Sequence, residues 1–144
     1  MTSEFEGPFD GAQVENLIPG RRASTQSRKR RGRDTELLAA RYLAENGWPY
    51  AMPTGAGASG IDITGTPGLA WEVKARTGFD PMANLRQAVG NAGEHNLPLV
   101  LLRPNGVGRA QIGSWPVFTT LNHMIALLRT AGFGDALLGT EEKS

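Results

Sequence analysis

The sequence predicts one α/β domain, a central mixed β-sheet flanked by helices. Helical periodicity appears in three separate stretches, and short apolar or alternating runs of strand length lie between them. Glycine- and proline-rich turns separate these segments, which gives the order α-β-β-β-α-β-β-α. At 144 residues, with 40% hydrophobic and 20% charged side chains, the chain has one domain's length and can bury a core.

Residues 1–30 lack sustained periodicity and read as a flexible leader. Its end overlaps a basic arm, 21–33, which holds seven of the fifteen Lys and Arg residues. The folded domain is expected over 31–132, with a mobile tail at 133–144. From Asp34, a candidate N-cap, Leu37, Ala40, Leu43 and Ala44 share a helical face that Gly47 closes. Trp48–Met52 is a short strand pushed to the sheet edge by Pro49. Ile61–Thr64 and Leu69–Ala75 are strands joined by the turn sequence GTPG. A second helix runs from Pro81 or Met82 to His95, with Leu85, Ala88, Val89 and Ala92 on one face. The apolar run LPLVLLR, 97–103, suits a central strand. A strand is expected over Arg109–Gly113, and Trp115–Phe118 extends the sheet or caps it. The last helix spans Thr120–Ala131, with Leu121, Ile125 and Leu128 inward and Gly132 as its stop.

Composition removes several classes of chemistry. The chain has no cysteine, hence no disulfide, thiolate metal site or catalytic thiol. No apolar run approaches the roughly 18 residues of a membrane span, and the acidic N-terminus is unlike a signal peptide. A cytoplasmic setting without a membrane partner is expected. His95 and His123 lack metal-ligand spacing. Trp48, Trp71 and Trp115 adjoin apolar strands and belong to the core. The basic arm suits phosphates, with Arg28, Lys29, Arg30, Arg31 and Arg33 as nucleic-acid contacts.

The stretch TGAGASGIDITG, Thr54–Gly65, contains G-x-G-x-x-G, yet a strand-like GIDIT follows where a dinucleotide fold needs a helix. The glycines instead leave room for a backbone to approach Asp62 closely. Ser59 either contacts a phosphate or fills the loop. Asp62 lies in one strand; Glu72 and Lys74 lie in the next, on one face, because strand side chains alternate. The intervening turn brings Asp62 beside Glu72. Two adjacent carboxylates repel when ionised, and a hard divalent cation, Mg²⁺ or Mn²⁺, relieves this. The cation acidifies a bound water, and the Lys74 ammonium stabilises charge at a phosphate under attack. A solvated strand face would show the same alternation, but LAW and Val73 around Glu72 make this strand look buried.

These residues resemble the PD-(D/E)xK nuclease superfamily. Glu36 in RGRDTELLAARYLAENGW, the Gly/Ser loop, GIDI, WEVK and then LRQAVGNAGEHNLPLVLLR follow the order seen in archaeal-type Holliday-junction resolvases. The resemblance covers residues 31–118. It departs at Ile61, where the family's name-giving Pro would stand, a position that varies readily in the superfamily. It implies a restriction-endonuclease-like fold and a structure-selective DNA endonuclease that uses Mg²⁺ in DNA recombination or repair. Asp62, Glu72 and the Val73 carbonyl would hold the metal. Lys74 would be the catalytic lysine, Glu36 would complete the metal shell through water, and Gln87 would steady the site or touch the DNA backbone. Glu36 also sits where any acid in a first helical turn favours the macrodipole. A restriction- or repair-type nuclease keeps the same fold, and a non-catalytic DNA-binding module would use the basic arm alone. A four-way junction has two-fold symmetry, so resolving it with one site per chain implies a homodimer. Its surface is expected from Met124 and Leu127 or from Trp115 and Phe118.

Overall fold

A computed structural model describes residues 24–55, 60–75 and 80–136. The architecture is α/β: a five-stranded mixed sheet flanked by helices, with strands in chain order across the sheet.

The first helix, α1, spans Thr25–Glu45 and starts well before Asp34. The Ser24 hydroxyl accepts the Ser27 N–H at 3.2 Å and supplies the N-cap expected of Asp34. Arg, Lys and Gln are good helix formers, and the basic run contains no proline. Only Gly32 weakens it, by about 1 kcal/mol, before the run joins the Leu- and Ala-rich turns in register. The part of the basic arm from residue 25 onward is therefore helical, and Asp34 lies mid-helix; residues 1–23 lie outside the described residues. The buried stripe also shifts. Thr35, Ala39 and Ala40 face inward and Leu38 and Leu43 pack against the core, whereas Leu37 is exposed.

Strand β1 is Met52–Pro53, at the C-terminal end of the expected segment and at the sheet edge, where a proline costs no ladder bond. It pairs antiparallel with β2, Ile63–Thr64, which pairs antiparallel with β3, Leu69–Lys74. The β2–β3 turn depends on Gly65: at φ +78°, a Cβ there would lie 1.9 Å from the Tyr50 carbonyl oxygen. Helix α2, Pro81–Ala92, then carries the chain to β4, Leu97–Leu102, which runs parallel to β3 from Leu69↔Leu97 to Lys74↔Leu102. Asp80 N-caps α2, accepting the Ala83 N–H at 3.1 Å.

Alternation along β3 and β4 divides the sheet into two faces. Trp71, Val73, Leu99 and Leu101 join Ile63, Ala39, Ala40 and Trp115 in the core under α1. Ala70, Glu72 and Lys74 point the other way, where Lys74 meets Gln87 of α2. Trp71 and Trp115 are core residues, as expected; Trp48 is half-buried.

The segment expected as a strand at Arg109–Gly113 is a 3-10 helix, Arg109–Ser114. The Gln111 side chain accepts the Gly108 N–H at 2.9 Å and closes its first turn. Ile112 is the only large apolar residue in RAQIG, too little for a strand face, and it packs against the core from the helix. Strand β5, Val117–Phe118, pairs antiparallel with β4. The final helix, α3, spans Leu121–Thr130 and buries none of its residues. Leu121, Ile125 and Leu128, expected to face inward, are 74%, 47% and 40% exposed. The apolar stripe is present, but no described element covers it.

Candidate active site

Asp62, Glu72 and Lys74 come together where the chain enters β2 beside β3. Ile63 pairs with Trp71, and Asp62, one residue before β2, lies against the same stretch of β3. The Asp62 main-chain N–H bonds the Trp71 carbonyl at 2.9 Å, so the ladder slips by one residue just before Ile63. One Asp62 carboxylate oxygen accepts the Val73 N–H at 2.7 Å and takes the place of the next ladder acceptor. Glu72 is only 3% exposed, and its carboxylate holds the Lys74 ammonium at 2.6 Å. The same ammonium donates to the Gln87 amide oxygen at 3.4 Å. Val73 points into the core beneath α1.

Glu36, on α1, lies close enough to this group to feel its charges. It is held above the ordinary carboxylate range, first by burial and then by the negative charges of Asp62 and Glu72, against the pull of Lys74 and Arg33. Asp62 is also raised, first by burial and then by Glu72, while the Val73 hydrogen bond and Lys74 lower it. Three carboxyls thus share one field with a single lysine at the centre, an arrangement short of positive charge.

Among the described residues, no three His, Asp or Glu side chains cluster closely enough to hold a metal by themselves. Mg²⁺ is commonly bound by one or two carboxylates, with waters filling the remaining positions. The neighbouring carboxylates of Asp62 and Glu72 fit that requirement, and the mutual repulsion that, after burial, raises Asp62 is the strain such a cation would relieve. An arriving cation and the Lys74 ammonium would compete for the Glu72 carboxylate.

The glycine loop closes at its base: the Thr54 N–H bonds the Asp62 carbonyl at 2.9 Å, and the Asn91 amide bonds the Gly60 carbonyl at 3.3 Å. Gly55 and Gly60 have φ of +104° and +102° with open space where a Cβ would stand. Gly57 and Ser59 lie outside the described residues. The next element is strand β2, so the dinucleotide pattern has no helix to open.

The basic residues divide. Arg28, Lys29, Arg30 and Arg33 are exposed on α1, whereas Arg31 is half-buried. Sequence reasoning missed Arg103, at the carboxyl end of β4. Its main-chain N–H bonds the Lys74 carbonyl at 2.8 Å, and its guanidinium bonds Asp34 at 3.1 Å and Thr35 at 3.2 Å. The guanidinium also lies 5.4 Å from the centre of a Trp115 ring. The available signal was an arginine closing a buried strand parallel to the Lys74 strand, since ligands of open α/β sheets gather at strand carboxyl ends. His95 is exposed, and the His123 ring contacts its own helix cap, Thr120.

No protein-family model, no curated protein and no solved structure matches this chain. The functional reading therefore rests on the site and on the order of its residues.

Proposed function

We propose that this chain is a Mg²⁺-dependent DNA endonuclease of the PD-(D/E)xK kind, selective for branched DNA and acting on four-way junctions as a homodimer. The observation that carries the reading is the Asp62 carboxylate bonded to the Val73 N–H, between Glu72 and Lys74, with Glu72 holding Lys74. A surface ion pair contributes little and needs no burial; this one lies in a nearly buried strand beside a second carboxylate, where unmatched charge is expensive. A binding module has no use for that arrangement.

In this reading Asp62, Glu72 and the Val73 carbonyl hold the metal, and Mn²⁺ substitutes for Mg²⁺. The bound ion would supply an acidified water and a contact for a phosphate oxygen. Lys74 stabilises charge on the phosphate and helps orient the attacking water. Gln87 keeps the ammonium at the site, and Glu36 favours cation binding through its charge. The exposed cations of α1 hold the DNA backbone.

The test is incubation of the purified protein with junction, flap, duplex and single-stranded DNA, with and without Mg²⁺. Metal-dependent cutting of the junction in preference to the others is expected. Equal cutting of flap or linear duplex would favour a repair- or restriction-type nuclease on the same site. Binding without cutting, with or without Mg²⁺, would leave only the DNA-binding module.

A further inference from the structure

Beside the candidate active site, α1 and the 3-10 helix enclose an open trough of about 370 Å³ lined by Ser27, Arg30, Arg31, Asp34, Arg103 and Arg109. Four guanidinium groups face one carboxylate there. Asp34 is committed to Arg103, and no ion pair to Arg30, Arg31 or Arg109 occurs among the described residues. Two of these arginines hold buried donors with no acceptor: Nε and Nη2 of Arg31 and Nε of Arg103. Four guanidiniums set against one carboxylate leave positive charge unmatched in the trough, so this arrangement suits an anion.

Helix geometry separates the trough from the carboxylates. Asp34 and Glu36 are two residues apart, about 200° around α1, so they leave it on nearly opposite flanks with the fully buried Thr35 between them. Glu36 feels the charges of the acidic group, and Asp34 bonds Arg103. The trough is nonetheless close to that group, because Arg103 bonds the Lys74 carbonyl through its main chain. Arg103 is also held in place by Asp34, Thr35 and the Trp115 ring before any ligand arrives.

We propose that this trough is a phosphate-binding subsite flanking the candidate active site. Guanidinium forks match phosphate oxygens in pairs, and the surplus positive charge suits a phosphate better than a single carboxylate. The volume exceeds what one phosphate fills and leaves room for an attached sugar. That the phosphate is carried by nucleic acid rests on the proposed nuclease function; the anion site itself does not. The phosphate is either an internal diester of the bound strand or a terminal monoester at a strand end.

The test uses the full chain and the double variant Arg30→Gln/Arg109→Gln. Both positions are exposed, so the fold should survive the change. Inorganic phosphate should raise the melting temperature of the parent protein above that in chloride at equal ionic strength, and the variant should lose this effect. The same shift in both proteins, or none in the parent, overturns the proposal. Two uncut oligonucleotides, with and without a 5′-phosphate, are then compared by anisotropy in EDTA. If the parent prefers the phosphorylated strand and the variant loses that preference, by about tenfold or more, the ligand is a terminal monoester. If both strands bind the parent equally and the variant weakens both, it is an internal diester. Unchanged affinity for both strands in the variant overturns nucleic acid as the source of the phosphate. Asp62→Ala separates the two readings, since it should lose cleavage and keep the phosphate shift. A parent protein that shows the shift but never cuts DNA would retain the subsite and lose the nuclease.

Discussion

Asp62 and Glu36 are easier to protonate in the folded protein than in the unfolded chain, because burial and neighbouring carboxylates oppose their charge. With folded-state pKa values above the unfolded ones, their contribution to stability is full below the unfolded pKa. It is lost as pH rises through the folded pKa. Without added metal, stability should therefore fall as pH rises from the ordinary carboxylate range toward neutrality. Asp62→Asn keeps an acceptor for the Val73 N–H and removes the charge. Thermal unfolding at neutral pH should show a melting temperature a few degrees higher, where about 2–4 °C corresponds to 1 kcal/mol in somewhat larger chains. The pH dependence should flatten as well. A lower melting temperature for this variant would mean that the carboxylates are not in conflict. The same residues should be indispensable to chemistry. Lys74→Ala and Asp62→Ala should each lower cleavage on the order of a hundredfold or more, with DNA affinity within a few-fold because binding is spread over many phosphate contacts. Full cleavage by either variant removes the site assignment. Ca²⁺ should support binding and little turnover, since its looser coordination positions water less well.

At the scale of elements, α1 carries its cations at the wrong end. Arg28, Lys29 and Arg30 lie in the first two turns, which contain no acidic residue, although the helix N-terminus favours negative charge. A bound polyanion relieves this, so DNA should increase amide protection over residues 25–33 in hydrogen exchange; unchanged protection would make the segment a bystander. At 100° per residue, Arg28, Lys29, Arg30, Arg31 and Arg33 spread around the helix, so one DNA backbone meets about two or three of them. Neutralising all five should lower the slope of log affinity against log salt by about 2–3. The helical state of this run was not legible in the sequence, because a dense charge run has no apolar face to announce a helix. Its order comes from continuity with Thr35, Ala39 and Ala40. The β2–β3 hairpin was legible from its turn residues, but β2 is only Ile63–Thr64, shorter than the expected Ile61–Thr64. Asp62 precedes it because its N–H bonds Trp71 out of register. The Arg109–Ser114 3-10 helix was not, because its single packed residue, Ile112, carries no period. Asp62, Glu72, Lys74 and Gln87 were legible as a group. Arg103 was not, since its role depends on Asp34 and Trp115, which are distant in sequence.

At the scale of the whole molecule, the unresolved tension is α3. Its sequence is amphipathic, yet Leu121, Ile125, Leu127 and Leu128 are all exposed, and none of its residues is buried. Trp115, considered as an interface residue from the sequence, lies in the monomer core, which leaves α3 as the stronger surface. A two-fold axis beside a helix lets it pack against its own copy, so one apolar stripe covers the other. Resolution of a junction requires two sites related in that way. The chain should therefore be a dimer by light scattering, and Ile125→Glu should convert it to a monomer. Because Ile125 contributes little to the monomer core, that variant should keep a near-parent melting temperature when compared at low protein concentration. On a synthetic four-way junction, the parent should make paired symmetric nicks and the variant single unpaired ones, with Lys74 chemistry intact in both. A parent protein that stays monomeric on the junction and makes only unpaired nicks would remove the resolvase and leave a simpler nuclease. A dimer that survives Ile125→Glu would place the two-fold surface elsewhere on the molecule.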